Sequence, residues 1–458
     1  MKKKLTVFLF IIFSINLRAE SEDFYFPIDF NSNQITESSS EPIQQIWTYD
    51  DCVNWAIKNN IDVRSTMLSV LEAEQNIGMA KDAYLPYVGF STTQSFSNYP
   101  SSQNGQGTNS YNSSYNINAS WTIWEGNARK YHVETSKLVK LQQQLYGDDI
   151  IKNLQLGILQ AYLNILYSAE AVDIAKKSLE VSTAQSFRTK RLMETGKTSK
   201  VDYAQIESQK AQDEYNLVQA RSSYESSKIT LKNLLNLGLD YDLKIKEENF
   251  PDSMVNIPLP SKTQVYDLAM NWLPQFKSNE LSKSIYDYNI KIARSSYYPS
   301  ISLNGGFGTG YNSSGNSSWG IQMKNFFNEN IGLNLSVPIY DGNATRRAVN
   351  IAKLQALQYD LTKAQLQNEL SQTIENLFIE SDNSRAKYIS GLSQLEATEL
   401  SAELVDRQFE LGLVNPLELL TAHNNLLNAR LQLLQNKYMA ILSSKTIYYY
   451  ATSQISIP

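Results

Sequence analysis

Between positions 111 and 123 apolar and polar residues take strict turns. The odd positions carry Tyr111, Ser113, Tyr115, Ile117, Ala119, Trp121 and Ile123; the even ones carry Asn112, Ser114, Asn116, Asn118, Ser120 and Thr122. Further along, Ile331, Leu333, Leu335, Val337 and Ile339 alternate with Asn330, Gly332, Asn334 and Ser336. Ile301, Leu303, Phe307 and Tyr311 share one parity against Ser302, Asn304, Gly306 and Gly308, and a weaker run after Pro86 shows Val88, Phe90 and Phe96. A period of two with one apolar and one small-polar face predicts two-faced strands over about 87–98, 111–124, 300–311 and 330–340. Stretches this long suit tilted strands crossing an outer membrane. Tyr115, Ile117, Trp121, Ile123, Ile301, Leu303, Leu333, Leu335 and Val337 then face lipid, and the Asn/Ser/Thr/Gly side faces a wet lumen. A β-sandwich with one solvated face would show the same alternation.

Elsewhere the spacing is helical. Leu138, Leu141 and Leu145, then Ile151, Leu154, Ile158, Tyr162, Ile165, Ala169 and Val172, recur at threes and fours, as do Leu354, Leu357, Leu361, Leu370, Ile374 and Leu377. No proline lies between Pro100 and Pro251 or between Pro338 and Pro416. The pattern predicts long helices over about 127–193 and 343–410, each about 100 Å long at 1.5 Å per residue, which must pack on equally long neighbours. Each follows a corner, Gly126 with Asn127 or Gly342 with Asn343, where the asparagine is expected to act as N-cap. Each stops at a glycine suited to C′, Gly196 or Gly412. Ser199 with Asp202, and Asn415 with Pro416 and Glu418, have capping-box spacing and open return helices over about 200–236 and 416–450. Single first helices are expected over about 50–83 and 264–296, with Pro86 and Pro299 turning the chain into strands. The Ser/Asn/Gly-rich segments 97–110 and 312–329 read as exposed loops.

The order repeats. WEGNARK (124–130) aligns with YDGNATR (340–346), and ETGKTSKVD (194–202) with ELGLVNPLE (410–418), both at an offset of 216. One architectural half is therefore present twice, over 48–236 and 264–450, joined by an equatorial linker at 237–263 and followed by a short tail at 451–458.

The N-terminus changes the setting. Lys2, Lys3 and Lys4, an apolar run from 5 to 15 and the small Ala19 read as a signal peptide over 1–19, followed by a flexible polar segment at 20–46. A buried N-terminal helix is the competing reading. Removing the four basic residues of that segment leaves 37 basic against 46 acidic side chains, a net −9 that disfavours nucleic acid as a partner. Cys52 alone can form no internal bridge, and His132 and His423 are the only histidines. No convergent metal or catalytic set is present, so no cofactor and no enzymatic activity are expected.

These parts together resemble the TolC family of outer-membrane efflux proteins across the whole mature chain. LPYVGFS and YPSISLN enter the first strands, WEGN and YDGN leave the second, and GKTSKVD and GLVNPLE form the two hairpins. The resemblance implies a mainly α fold with a β-barrel part: a homotrimer whose twelve strands form one barrel, continued by a twelve-helix periplasmic tunnel. It implies an exit duct for tripartite efflux or type I secretion, working with a periplasmic adaptor and an inner-membrane pump. A secreted or surface-attached coiled-coil adhesin is the alternative.

In family members the hairpin tips close the periplasmic mouth. Asp202 and Glu418, each six residues past its hairpin glycine, stand at a gate carboxylate's position, although both are also explained as N3 caps. Thr421 stands where a second acidic ring would be, and Val414 where an arginine would tie the hairpins together, so the latch departs from the family pattern. Gly196, Ser199, Gly412, Asn415 and Pro416 shape the turns, and Arg191 and Arg407 are candidates for docking partner hairpins or for capping helix C-termini. His132 and His423 read as isolated surface or packing residues.

Overall fold

The computed structural model describes residues 46–99, 109–246 and 250–455. The expected signal peptide and all of the following polar segment except Ile46 lie outside the described residues, as do 100–108 in the first loop and 456–458 of the tail.

The first half begins with β1 (Ile46–Trp47), α1 (Tyr49–Asn59) and α2 (Ile61–Asp82). It continues through β2 (Tyr87–Asn98), β3 (Asn109–Glu125), α3 (Ala128–Glu194) and α4 (Lys200–Leu235). After β4 (Lys244–Ile245), which pairs in parallel with β1, and a 3₁₀ turn at Asp252–Asn256, the second half repeats the plan. It comprises α5 (Lys262–Trp272), α6 (Pro274–Ser295), β5 (Ser300–Asn312), α7 (Trp319–Asn325), β6 (Asn328–Ser336), α8 (Ala344–Glu410) and α9 (Pro416–Thr452). Both long helices have 67 residues.

Several elements differ from the sequence expectation. The single first helix of each half is two. At Asn60 the chain turns extended (ψ 133°), and its side chain accepts hydrogen bonds from the N–H groups of Asp62 and Val63, capping a new helix. In the second half Leu273 is extended before Pro274, whose ring excludes a helical residue in front of it. The segment 312–329 holds the helix α7 rather than loop alone. Strand β6 ends at Ser336, not near 340, because Pro338 has no N–H for the ladder; Val337 therefore falls outside the strand. Asn127 and Asn343 do not cap with their side chains: both sit in the left-handed region (φ 67° and 66°) behind left-handed glycines. At the second corner Asp341 does the capping, its carboxylate accepting from the Thr345 N–H at 2.8 Å.

Glycine is required at these corners to different degrees. A Cβ on Gly126 (φ 62°) would lie 2.5 Å from the Ser295 carbonyl oxygen, whereas one on Gly342 (φ 65°) would meet nothing within 4 Å. Gly342→Ala is therefore expected to cost only the left-handed strain, ~1–2 kcal/mol. Gly126→Ala adds a backbone clash of a further ~1–3 kcal/mol, so thermal melting in detergent will show the larger loss for Gly126→Ala.

The four long strands form one antiparallel sheet in the order β2-β3-β5-β6. Its register aligns the two-residue period from strand to strand. Phe90 pairs with Ile117 and Ile117 with Phe307; Trp121 pairs with Leu303 and Leu303 with Leu333; Ile301 pairs with Leu335. Paired residues share a face, so the apolar sets stack into one band. The other face stacks Gly89, Asn118, Gly306 and Asn330 in one row and Ser91, Asn116, Gly308 and Asn328 in the next. A bulge between Thr122 and Trp124 leaves Ile123 without a partner, and Trp124 takes the place opposite Ile301. The apolar band is thus carried on by Trp124, where the sequence pattern pointed to Ile123.

The core lies midway along the helices, at the level of the linker. Ile158, Leu159, Tyr162 and Ile165 of α3 are fully enclosed by Trp47, Cys52, Leu231, Leu235, Leu243 and Phe250. Each such side chain contributes roughly 1.5–3 kcal/mol through burial. A second cluster joins α5, α6, α8 and α9 through Leu273, Ile374, Phe378 and Ile447. Away from these clusters the apolar stripes stay open: Ile351, Leu354, Leu357 and Leu361 of α8 are all more than half exposed.

Candidate gate and pore wall

Each hairpin tip is built by its termination signals. At the first, the Gly196 N–H donates to Met193 O (3.0 Å) and the Lys197 N–H to Leu192 O (2.8 Å). At the second, Gly412 donates to Phe409 O (3.0 Å) and Leu413 to Gln408 O (2.9 Å). These paired bonds close a Schellman motif, with the glycines at φ 74° and 73°.

Ser199 and Asp202 form the full capping box: the Asp202 N–H donates to Ser199 Oγ (3.0 Å) and the Ser199 N–H to Asp202 Oδ2 (3.1 Å). Thr198 Oγ1 adds a second donor to Asp202 Oδ2 at 3.0 Å. The Ser199 hydrogen bonds, with help from Thr198, hold the Asp202 carboxyl below the usual carboxylate range. The second tip is half of such a box. Asn415 Oδ1 accepts from the Glu418 N–H at 3.0 Å, but the return bond comes from its side-chain amide to Glu418 Oε1 (3.2 Å).

Thr421, the remaining gate candidate, donates to Leu417 O in its own helix at 2.8 Å. Arg191 lays its guanidinium 4.4 Å over the Phe187 ring, and among the described residues neither it nor Arg407 makes an ion pair. The groups that join the two hairpins are others. Arg188 Nη1 lies 2.6 Å from Glu410 Oε1. Gln185 Nε2 donates to Asp406 Oδ1 at 3.1 Å and also lies 3.1 Å from His423 Nε2, which is itself 2.9 Å from Asp406 Oδ1. Gln209 and Asn424 exchange amide bonds at 3.3 Å. His423 is therefore no isolated residue: its side chain is 18% exposed and sits in the seam.

One sequence signal pointed there. At the repeat offset, Lys190 corresponds to Asp406 and Glu207 to His423. Within the first hairpin, Glu207 accepts from Ser186 Oγ, and that bond, with Lys210 and Lys190 nearby, keeps its carboxyl below the ordinary range. Each hairpin thus places one basic and one acidic residue type at these equivalent positions, in opposite order, although the ion pair of Glu207 is with Lys210.

At the other end, the sheet's polar face carries Asn, Ser, Thr and Gly. Among the described residues of the four-stranded sheet the charged ones are Glu125, paired with Arg129 at 3.3 Å, and Glu329, opposite Phe307 on the apolar side. One face suits hydrocarbon and the other water, and the strands lead directly into 67-residue helices. No described helix is long and apolar enough to cross a membrane.

That combination defines a wall segment of a β-barrel channel extended by an α-helical tube. The chain belongs to the outer membrane efflux protein family, whose sequence profile matches it twice, over residues 53–237 and 265–451. It is an outer-membrane export channel with a TolC-like fold. It is similar to Toxin and drug export protein A of Aggregatibacter actinomycetemcomitans, 23% identical over 471 residues covering 97% of each chain. It is also similar to Outer membrane efflux protein BepC of Brucella suis biovar 1 (strain 1330), 21% identical over 85% of this chain and 82% of that protein. Among solved structures, the outer-membrane channel OprN superposes with a TM-score of 0.70 at 17% identity, covering 88% of this chain and 89% of that one. The open-state MtrE channel of Neisseria gonorrhoeae superposes at 0.64 with 18% identity, covering 90% and 95%.

Proposed function

We propose that three copies of the chain close one twelve-stranded barrel, and that the hairpins gate its periplasmic mouth. The observation that carries this reading is the four-stranded sheet, apolar on one face and polar on the other, with β2 and β6 as unpaired edges. Open edges have no hydrogen-bond partners in lipid. Two copies would give eight strands, whose interior side chains fill; twelve leave an aqueous passage. The exposed stripe of Ile351, Leu354, Leu357 and Leu361 is then covered by a neighbouring copy.

Export through this duct is passive. A periplasmic adaptor docking on the hairpins, around Arg191, Arg407 and the Gly196 and Gly412 turns, would couple it to an inner-membrane pump. A strand face of small polar residues with Glu125 as its one described charge, and the cargo named for the toxin and drug export relative, fit a duct that leaves cargo selection to that pump.

Native mass measurement and planar-bilayer recording test the reading: three-chain particles that conduct are expected, and trimers that insert without ever conducting overturn it. Asp202 and Glu418 would form acidic rings at the mouth. Asp202→Ala with Glu418→Ala is expected to weaken periplasmic-side block by divalent cations, and unchanged block returns both to capping alone. Because the Asp202 carboxyl is held low, its share of the block persists in mild acid and fades only as pH falls below the usual carboxylate range.

A further inference from the structure

The loop between β5 and β6 does not spread freely into water. Gln322 is 3% exposed; its side chain accepts from the Asn312 N–H (3.0 Å) and donates to the carbonyls of Asn312 (3.0 Å) and Ser317 (2.7 Å). Thr309 Oγ1 donates to Met323 O at 2.6 Å. Thr309 shares the parity of Leu303 and Phe307, so its bond draws α7 toward the apolar face, while the Gln322 bonds to the Asn312 backbone seat the helix beside β5 beyond the end of β6. Phe327 stacks on Phe307 of that same face, with ring centroids 6.4 Å apart and planes 16° from parallel.

This placement leaves Trp319, Ile321 and Phe327 between 53% and 56% exposed, with Lys324 exposed beside them, whereas Phe326 lines a recess with Thr93, Asn116 and Asn328 of the polar face. Three large apolar side chains exposed on one short segment are unfavourable in water; at a membrane boundary they are favoured. The height agrees. From Ile301 to Phe307 the apolar band runs about 20 Å along the tilted strand at 3.4 Å per residue, and Glu329 stands opposite Phe307 near its outer end. Helix α7 lies just beyond that level. It packs on β5 past the last β5–β6 pair, Gly308 with Asn328.

We propose that α7 is a lipid anchor. It seats Trp319, Ile321 and Phe327 among the headgroups and upper acyl chains of the outer leaflet, fixing the depth of the barrel. The proposal rests on the outer-membrane placement and is independent of how the hairpins behave.

Cys52, the protein's one cysteine, is buried, so introduced cysteines can be labelled selectively. Trp319→Cys and, separately, Ile321→Cys are labelled with an NBD fluorophore and reconstituted as the full-length oligomer into dioleoylphosphatidylcholine vesicles. With 5-doxyl phosphatidylcholine in the bilayer, emission at both positions is expected to fall roughly two-fold, as for an interfacial side chain, while aqueous cobalt quenches weakly. Strong cobalt quenching without doxyl quenching would place α7 in water and overturn the proposal. Protection from both quenchers would mean that a second copy covers it, and would equally overturn the proposal.

Discussion

Leu303→Arg is expected to abolish the membrane-inserted oligomer, while Asn304→Arg, one residue along the same strand, leaves it intact. Leu303 stands in the middle of the apolar band, between Trp121 and Leu333 in the register. An arginine at the bilayer midplane of a barrel costs about 2–4 kcal/mol. In a three-chain barrel that is about 6–12 kcal/mol, comparable to the whole stability of an ordinary domain. Asn304 points the other way, in a row with Ser120 and Gly332. Its arginine would stand in the water-filled interior and shift the pore toward anions without disturbing insertion. Density-gradient fractionation with heat-modifiability on gels reads the first outcome, and reversal potential in a salt gradient reads the second. If Leu303→Arg inserts as well as the parent, the apolar face does not meet lipid, and the channel reading fails with it.

That contrast also marks what the linear pattern can convey. Side-chain parity decides the face of every residue in a strand, so the apolar band and the polar face were legible from alternation alone. The alternation says nothing about backbone donors: it runs on through Val337 and Ile339, although Pro338 ends the ladder at Ser336. It likewise passes over the bulge at Ile123, because an added residue leaves the neighbouring side chains just as apolar. The hairpins were legible because their signals are local, a glycine and a capping residue three positions apart. The helix breaks at Asn60 and Leu273 were hidden because apolar spacing continues on both sides of each. The seam between hairpins was the least visible. Gln185 and Asp406 lie 221 positions apart, and the rotation of one helix against another is set by packing that no local window contains.

The seam yields the second large effect. Arg188→Glu is expected to raise resting conductance by placing a carboxylate against Glu410, where the native ion pair spans 2.6 Å. Both side chains are nearly half exposed, so the native pair is worth about 0.2–1 kcal/mol. Reversal replaces that attraction with a similar repulsion, and a swing of ~1.4 kcal/mol changes the closed-to-open ratio about ten-fold for each chain. Three chains opening together multiply the effect. Glu410→Arg added to Arg188→Glu restores the pair with its sign inverted, and conductance should return toward the parent. Raising salt should narrow the difference, since exposed charges are screened within about 3 Å at 1 M. Gln185→Ala, which removes the bridge to Asp406 and His423, should open the channel further when combined with Arg188→Glu. The charge-swapped double variant decides the matter. If Arg188→Glu and its rescue conduct alike, the seam is a fixed joint, and the gate lies in contacts between copies rather than within one.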